Sequence, residues 1–482
     1  MNLPAPFALS SRALLGDEEY EKLAIALQQE SPVSVRLNQA VQVDAGLNVP
    51  LSEIPWSAAG HYLEQRLTFT FDPLFHAGCY YVQEASSMFV EQALKRYLPA
   101  APVVMLDLCA APGGKSTHAR SVLPQGSLLV ANEVVRNRSQ ILAENLTKWG
   151  HPDVVVTNND PADFTPLTSF FDVILTDVPC SGEGMFRKDP NSVEEWSPEN
   201  VTVCWQRQRR ILSDIWPCLR PGGMLIYSTC TYNTKENEEN VRWMCEEFGA
   251  EVLGLDVPDS WNITGNLLPD ADFPVYRFLP HRTQGEGFFL AVVRKPEAAS
   301  AERSPAYEAA GHASSAKRKN KKNTPPTPTL VSKEQLALAK SWLLAPDDYE
   351  LSVSGAVVSA FTRIRSGELA SLSSLLRIVQ AGITLGEAKG KDLIPNHALA
   401  MSRVLKPGAF PTEEVSYDQA ISYLRKEAIS LSETAPRGYV LLLYKQVPLG
   451  FVKNIGNRAN NLYPQEWRIR SGYLPDEIRT LF

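Results

Sequence analysis

Beyond residue 100, short apolar runs alternate with longer amphipathic stretches. The runs at 103–108, 127–131, 154–157, 171–176 and 224–228 read as strands, and the stretches at 115–122, 135–149 and 201–219 carry helical spacing. This alternation predicts an α/β fold, a doubly wound parallel sheet with helices on both faces. The run GEGFFLAVV at 285–293 reads as a last strand of the same sheet. Upstream, 18–29 has a helical period and 33–38 alternates like a strand. Downstream, helices are expected at 333–343 and 418–426, two short strands within 349–363, and further strands at 439–444 and 449–455. Short β elements with interspersed Lys and Arg suggest a small barrel-like module there. Residues 297–330 follow neither period and are rich in Ala, Ser, Pro and Lys, the composition of a flexible linker. Its KRKNKK run at 317–322 reads as a solubilising tether or as a nucleic-acid contact. The chain is thus expected to divide into 1–70, 71–296, the linker 297–330, an α+β module at 331–405 and a β module at 406–482.

In doubly wound sheets ligands sit at the carboxyl ends of the strands, near the point where strand order reverses. The first strand runs into MLDLCAAPGGKST at 105–117, a turn of small residues followed by a helix start. Bare backbone N–H groups and the positive end of the helix dipole face a ligand at such a turn. It is not a P-loop, because Cys109 stands where the first glycine would be, nor is it G-x-G-x-x-G. The second strand ends at Asn132-Glu133, about twenty residues after the glycines, where these folds hold a ribose. The third ends at Asn158-Asn159-Asp160, the fourth at Asp177-Val178-Pro179-Cys180 and the fifth at Thr229-Cys230. One acidic strand end is usually a solvated turn; five polar ends in register point to a site. The aromatic stretch DPLFHAGCYYVQEASSM at 72–88 reads either as a core-packing connection with a helix cap at Ser86 or Ser87, or as the wall of a substrate channel.

Composition narrows the class. No run approaches the roughly 18 apolar residues of a membrane span, and the first residues lack a signal-peptide pattern, so a cytoplasmic address and no membrane partner are expected. The seven cysteines form no C-x-x-C, which argues against a structural zinc site and a disulfide framework; no metal is expected. A net charge of −7 weighs mildly against a nucleic-acid partner, although a local basic face can override it. A monomer is expected.

Free cysteines are usually small buried hydrophobes, and Cys79, Cys204, Cys218 and Cys245 are read so. Cys180 and Cys230 stand just past strand ends, where Lys115 and Arg187 would provide the electropositive setting an active thiol needs. A nucleoside site beside a thiol suits methylation at C5 of a pyrimidine. C5 of cytosine or uracil is too weak a nucleophile to attack a methyl sulfonium, but a thiolate added to C6 makes C5 enamine-like. A base must then remove the C5 proton so that the thiol can leave. A donor at N3 helps the addition, a role for Asp177 if enclosure raises its pKa. Two thiols can divide attack and release.

The stretches DLCAAPGGK at 107–115, DVPCSGEGMFR at 177–187, STCTYNTKENEEN at 228–240 and RTQGEGFF at 282–289 resemble the motif set of the Sun/Nop family of RNA cytosine-5 methyltransferases. The chain is most similar to that family's bacterial RsmF-type branch, which modifies small-subunit ribosomal RNA. Residues 72–88, Gly386-Glu387, PNHA at 395–398 and PLGFVKNIG at 448–456 resemble that branch's flanking and PUA-like regions. The resemblance implies a Rossmann-like class I methyltransferase domain at 71–296, an RNA-binding region at 1–70 and a PUA-like RNA-binding domain at 406–482. S-adenosyl-L-methionine is the implied cofactor. Its loop would be Cys109, Ala110, Ala111, Pro112, Gly113, Gly114 and Lys115, with Glu133 on the ribose and Arg138 in the same cofactor set. Asp160 would meet the adenine, while Asp177 would face both the methionine part and the target base. The resemblance also makes Cys230 the nucleophile and Cys180 the release partner. RNA, as small-subunit ribosomal RNA or the 30S particle, is the implied partner. Candidate RNA contacts are Arg36, Arg187, Lys188, Arg209, Arg210, Lys453 and Arg458. Transfer RNA or DNA as substrate, a small-molecule methyltransferase and a non-catalytic assembly factor are the rival readings; the last predicts loss of Cys230, Lys115 or Glu133, and all three are present.

Overall fold

The computed structural model describes residues 3–297, 331–475 and 477–482. The expected linker, apart from residue 297, and its lysine run lie outside the described residues. The chain begins with two helices, Ala5–Leu15 and Asp17–Ala26, where the pattern predicted one at 18–29. Gly16, at φ 84°, makes the hinge between them. Strands β1 (Val33–Leu37), β2 (Leu51–Ile54), β3 (Ser57–Leu63) and β4 (Tyr80–Val82) then form an antiparallel sheet in the order β2-β3-β1-β4. Because β4 lies within 72–88, the N-terminal sheet crosses the expected boundary at residue 70.

The core-packing reading of 72–88 is the one observed. Leu74, Cys79 and Tyr80 share an apolar cluster with Val440, Leu442 and Val452 from the C-terminal region. Asp72 is buried there and accepts from the Tyr80 hydroxyl and the Leu481 N–H. The cap expected at Ser86 or Ser87 is supplied instead by Glu84, whose carboxylate accepts from both their N–H groups.

The central sheet contains β5 (Val104–Asp107), β6 (Leu128–Asn132), β7 (Val154–Thr157), β8 (Phe171–Asp177), β9 (Leu219–Thr229), β10 (Glu251–Leu253), β11 (Tyr276–Phe278) and β12 (Phe288–Arg294). Its order is β10-β12-β9-β8-β5-β6-β7, with β11 also on β12. The five strands β9-β8-β5-β6-β7 are parallel, and β12 is antiparallel to β9. Alternate side chains enter two separate cores, as strand geometry requires. Met105, Leu129, Val156 and Leu175 meet the helices Gly114–Val122 and Arg136–Trp149. Leu106, Val130, Val155 and Ile174 meet the helix Pro198–Ile215 on the other face. From β5 the chain steps outward to β6 and β7, then returns to β8 and β9 on the other side. The switch point therefore lies between β5 and β8, where the glycine turn and Asp177 stand.

The C-terminal region has β13 (Tyr349–Ser354), β14 (Val357–Thr362), β15 (Ile378–Ala381), β16 (Ile383–Lys389) and β17 (Asp392–Pro395), then β18 (Thr412–Glu414), β19 (Gly438–Tyr444), β20 (Val447–Asn454) and β21 (Ala459–Asn461). Two four-stranded sheets result, β13-β14-β16-β17 and β18-β19-β20-β21. β15, within the expected α+β module at 331–405, leaves that module's sheet and pairs antiparallel with β7 on the edge of the central sheet. Leu372 and Leu376, just before β15, join the core beneath that edge.

Candidate active site

The loop after β5 is shaped by its small residues. Gly113 caps the following helix at φ 114°, a backbone conformation that strains any residue with a side chain. Three hydrogen bonds pin the loop: Ala110 N–H to Asn132 O at 2.8 Å, Arg138 Nη2 to Ala111 O at 2.8 Å and Asn145 Nδ2 to Pro112 O at 2.8 Å. Arg138 is thus tied to the loop expected to hold the cofactor. Glu133, at the end of β6, is almost fully enclosed; it accepts from the Val135 N–H at 2.9 Å and lies 3.5 Å from Arg138. Asp160, after β7, caps the turn Pro161–Phe164 and pairs with Arg210 at 3.5 Å, half exposed.

Beneath the loop, Asp107 is buried. Its Oδ2 accepts from Ser116 Oγ at 2.6 Å, and its Oδ1 has no partner. Burial pushes its carboxyl up to about 7, with Asp177 and Glu133 adding to the rise against Lys115. Burial and the same three carboxylates, Asp107, Asp177 and Glu133, also push the Cys109 thiol up, so Cys109 is not an activated nucleophile. A loop ringed by three carboxylates suits a cationic ligand. S-adenosyl-L-methionine, with its sulfonium and ammonium groups, fits that donor set.

The two loops after β8 and β9 bring together the expected thiols. Cys180 Sγ and Cys230 Sγ lie 3.0 Å apart, and the Cys230 N–H also donates to Cys180 Sγ at 3.3 Å. The hydrogen bond to Cys230, together with burial, pushes the Cys180 thiol well above its ordinary value. Beside them, Lys115 Nζ donates to Asp177 Oδ2 at 2.8 Å, and Ser228 Oγ donates to Asp177 Oδ1 at 2.9 Å. Burial alone would lower the Lys115 ammonium, but Asp177, Asp107 and Cys230 outweigh it and raise the value. Asp177 is a third exposed and ion-paired with Lys115.

Two buried carboxylates, which the sequence reading passed over inside its own motif stretches, cross-link these loops. Glu183, from the Cys180 loop, accepts from the Tyr232 and Asn233 N–H groups at 2.7 and 3.0 Å. Glu236, from the Cys230 side, accepts from Ser181 N–H at 3.0 Å, Ser181 Oγ at 2.5 Å, Gln208 Nε2 at 2.8 Å and Asn233 Nδ2 at 2.9 Å. The only available signal was their acidity within otherwise small, polar loops.

The candidate RNA contacts divide. Arg36 is buried, donates to Gln83 Oε1 at 2.8 Å and Thr117 Oγ1 at 2.6 Å, and lies over the Trp149 ring. Arg187 is also enclosed, bound to Glu286 at 3.0 Å and to Gly285 O at 2.7 Å. Both are held by internal partners rather than presented to a phosphate, and Lys115 is an electropositive neighbour of Cys230. Arg209 packs over Trp205 and donates to Asn240, while Lys453 is tied to Asp392. Lys188 is partly exposed, 3.9 Å from Glu286. Arg458 is exposed and lines a groove of about 450 Å³ with Arg437, Asn454 and Asn457. Among the described residues, no group of three or more His, Cys, Asp or Glu side chains is placed to hold a metal ion, and no helix is long and apolar enough to cross a membrane.

The model of the 16S rRNA methyltransferase RsmB/F family matches residues 98–294. That of the N-terminal domain of 16S rRNA methyltransferase RsmF matches 3–85, and that of the methyltransferase RsmF PUA domain matches 410–469. The chain is 32% identical over 442 residues to the ribosomal RNA small subunit methyltransferase F of Salmonella agona (strain SL483), covering 88% of this chain and 86% of that protein. Among solved structures, a methyltransferase homolog protein from Pyrococcus horikoshii aligns with a TM-score of 0.51 at 28% identity, over 60% of this chain and 94% of the other. NSun6 from the same organism, solved with SFG, shares the fold, with a TM-score of 0.52 at 20% identity over 61% and 99%.

Proposed function

The chain belongs to the RsmB/F family of 16S rRNA methyltransferases, and from that premise we propose that it methylates C5 of a cytosine in small-subunit ribosomal RNA through a covalent cysteine adduct. It is an S-adenosylmethionine-dependent RNA methyltransferase with a C-terminal PUA domain. The finer reading rests on the 3.0 Å thiol pair beside the Lys115–Asp177 ion pair. Bound at the glycine turn, S-adenosyl-L-methionine supplies an electrophilic methyl group. Gly114 and Lys115 would offer helix N-terminal N–H groups to its carboxylate, Glu133 and Asp160 would hold the nucleoside, and Asp177, with the buried Asp107 behind it, would lie towards its positive end.

Cys230 Sγ adds to C6 of the target cytosine, which pushes electron density to C5. Asp177 receives the base edge, and Lys115, bonded to it, supplies the mobile proton that a carboxylate in an ion pair lacks. Once C5 carries the methyl group, its proton passes to water at the open rim, N3 gives its proton back to Lys115, and Cys230 is eliminated as the aromatic ring is restored. Cys180 holds a proton 3.0 Å from the departing sulfur and returns it to Cys230 as the thiol is expelled. A cytosine within a stem must be flipped out to reach this rim.

The test is trapping on a denaturing gel with 16S ribosomal RNA or 30S subunits and S-adenosylmethionine. Cys180→Ala should accumulate a protein–RNA adduct, and Cys230→Ala should form none. The reverse pattern would overturn the assignment of roles, and the absence of adduct from both would overturn covalent catalysis.

A further inference from the structure

The edge of the central sheet next to the nucleoside side of the site is closed by a strand from beyond residue 330. β7 carries Asn158, Asn159 and Asp160 on its C-terminal end, and β15 pairs with it antiparallel. The Gly382 N–H donates to Val154 O at 2.9 Å, and the Asn158 N–H donates to Arg377 O at 3.1 Å. Above these ladder bonds, side chains take over. Asn159 clasps the main chain of Arg377: its Oδ1 accepts from the Arg377 N–H at 2.9 Å, and its Nδ2 donates to the Arg377 carbonyl at 3.1 Å. Arg377 Nη1 donates to Asn158 Oδ1 at 3.3 Å.

From there the bonds run into the site. Asn158 Nδ2 donates to Glu133 O at 2.7 Å and to Val134 O at 3.0 Å. The Asn159 N–H donates to Asn132 Oδ1 at 3.1 Å, and Asn132 Nδ2 returns a bond to Asn159 O at 3.0 Å. The ends of β6 and β7, which present Glu133 and Asp160, are thus one hydrogen-bonded unit with Arg377 as its outer member. The docking is anchored by apolar burial: Leu372 and Leu376 pack with Leu106, Val130 and Val155, and Arg365 Nε donates to Gly126 O at 2.7 Å. Without β15, β7 would be an open edge strand whose last residues fray into solvent.

We propose that Arg377 is a positioning residue for the nucleoside half of the cofactor site, supplied by the C-terminal region. It preorganises Asn158–Asp160 and the end of β6, so that the C-terminal region raises the affinity for the cofactor. Linkage makes this reciprocal, and bound cofactor tightens the docking of 377–382. The inference rests on the reading that Glu133 and Asp160 hold the nucleoside.

Two measurements on the full chain test it, with S-adenosylhomocysteine as the probe. Asn159→Ala removes both bonds to the Arg377 main chain, and titration calorimetry should show affinity for the probe falling about tenfold, within the usual range of coupling between sites. In the wild-type chain, hydrogen exchange at the Gly382 amide should slow when the probe saturates the protein, a response that a purely structural contact would not give. Both are required, and the absence of either overturns the positioning role. Glu133→Ala separates the two layers. If that variant binds the probe as tightly as wild type, the assignment of the cofactor site itself fails. If it binds weakly while Asn159→Ala binds normally, only the role of Arg377 fails.

Discussion

Glu236→Gln separates a carboxylate that positions the thiol loops from one that merely fills space. Glu236 is fully buried and accepts four hydrogen bonds. Its Oε2 faces two obligate donors, the Ser181 N–H and Gln208 Nε2; its Oε1 faces the Ser181 hydroxyl, which can reverse, and Asn233 Nδ2, which cannot. An amide nitrogen therefore does best in place of Oε1, and even there it leaves one donor opposed. An unmet buried donor costs about 1–3 kcal/mol. Removing the buried charge offsets part of this, because burial holds the Glu236 carboxyl above its ordinary value and so penalises the ionised form. The net expectation is a loss of about 1–2 kcal/mol. Glu236→Ala, which strands all these donors, should lose on the order of 3–5 kcal/mol. Freed from Glu236, the Ser181 loop no longer holds Cys180 against Cys230. If the lost energy was serving alignment, turnover should fall about five- to thirtyfold with RNA affinity unchanged. Urea unfolding gives the first quantity, and methyl transfer from labelled S-adenosylmethionine gives the second. A Glu236→Gln protein within about 0.5 kcal/mol of wild-type stability and with normal turnover would refute the reasoning.

Asp107→Asn should change how stability depends on pH. Burial raises the Asp107 carboxyl to about 7, so the native chain binds this proton more tightly than the unfolded chain. The stabilisation is complete below the ordinary value and is lost as pH rises towards 7, a swing of about 4 kcal/mol that the neutral amide lacks. Urea midpoints at pH 5.5 and 8 should therefore converge in the variant relative to wild type, and parallel pH slopes would remove Asp107 from this role. RNA binding should weaken steeply with salt. Arg458→Ala should reduce the slope of log affinity against log salt by about 0.7–0.9, the release expected for one phosphate contact. Arg36→Met should leave that slope unchanged and lower the unfolding free energy instead, because Arg36 is buried among internal acceptors. A fall in slope for Arg36→Met would restore it as an RNA contact.

Much of the catalytic architecture was written locally in the chain. Apolar periods located the strands of the parallel sheet, with β7 at the expected residues 154–157. Strand–helix alternation then dictated which ends of those strands share a rim, so Asp177, Cys180 and Cys230 could be placed together before any coordinates. Backbone conformation alone explains Gly113, since the turn needs a left-handed residue where the helix begins. What stayed hidden depends on partners distant in sequence. Arg36 and Arg187 read as free cations because nothing nearby revealed that Thr117 and Glu286 would enclose them. The same holds for the 3.0 Å thiol contact, set by carboxylates on opposite loops, and for β15, whose Ile378–Ala381 is too short to show which sheet it will join. Periodicity records which face of an element is buried; only the assembled molecule decides what buries it.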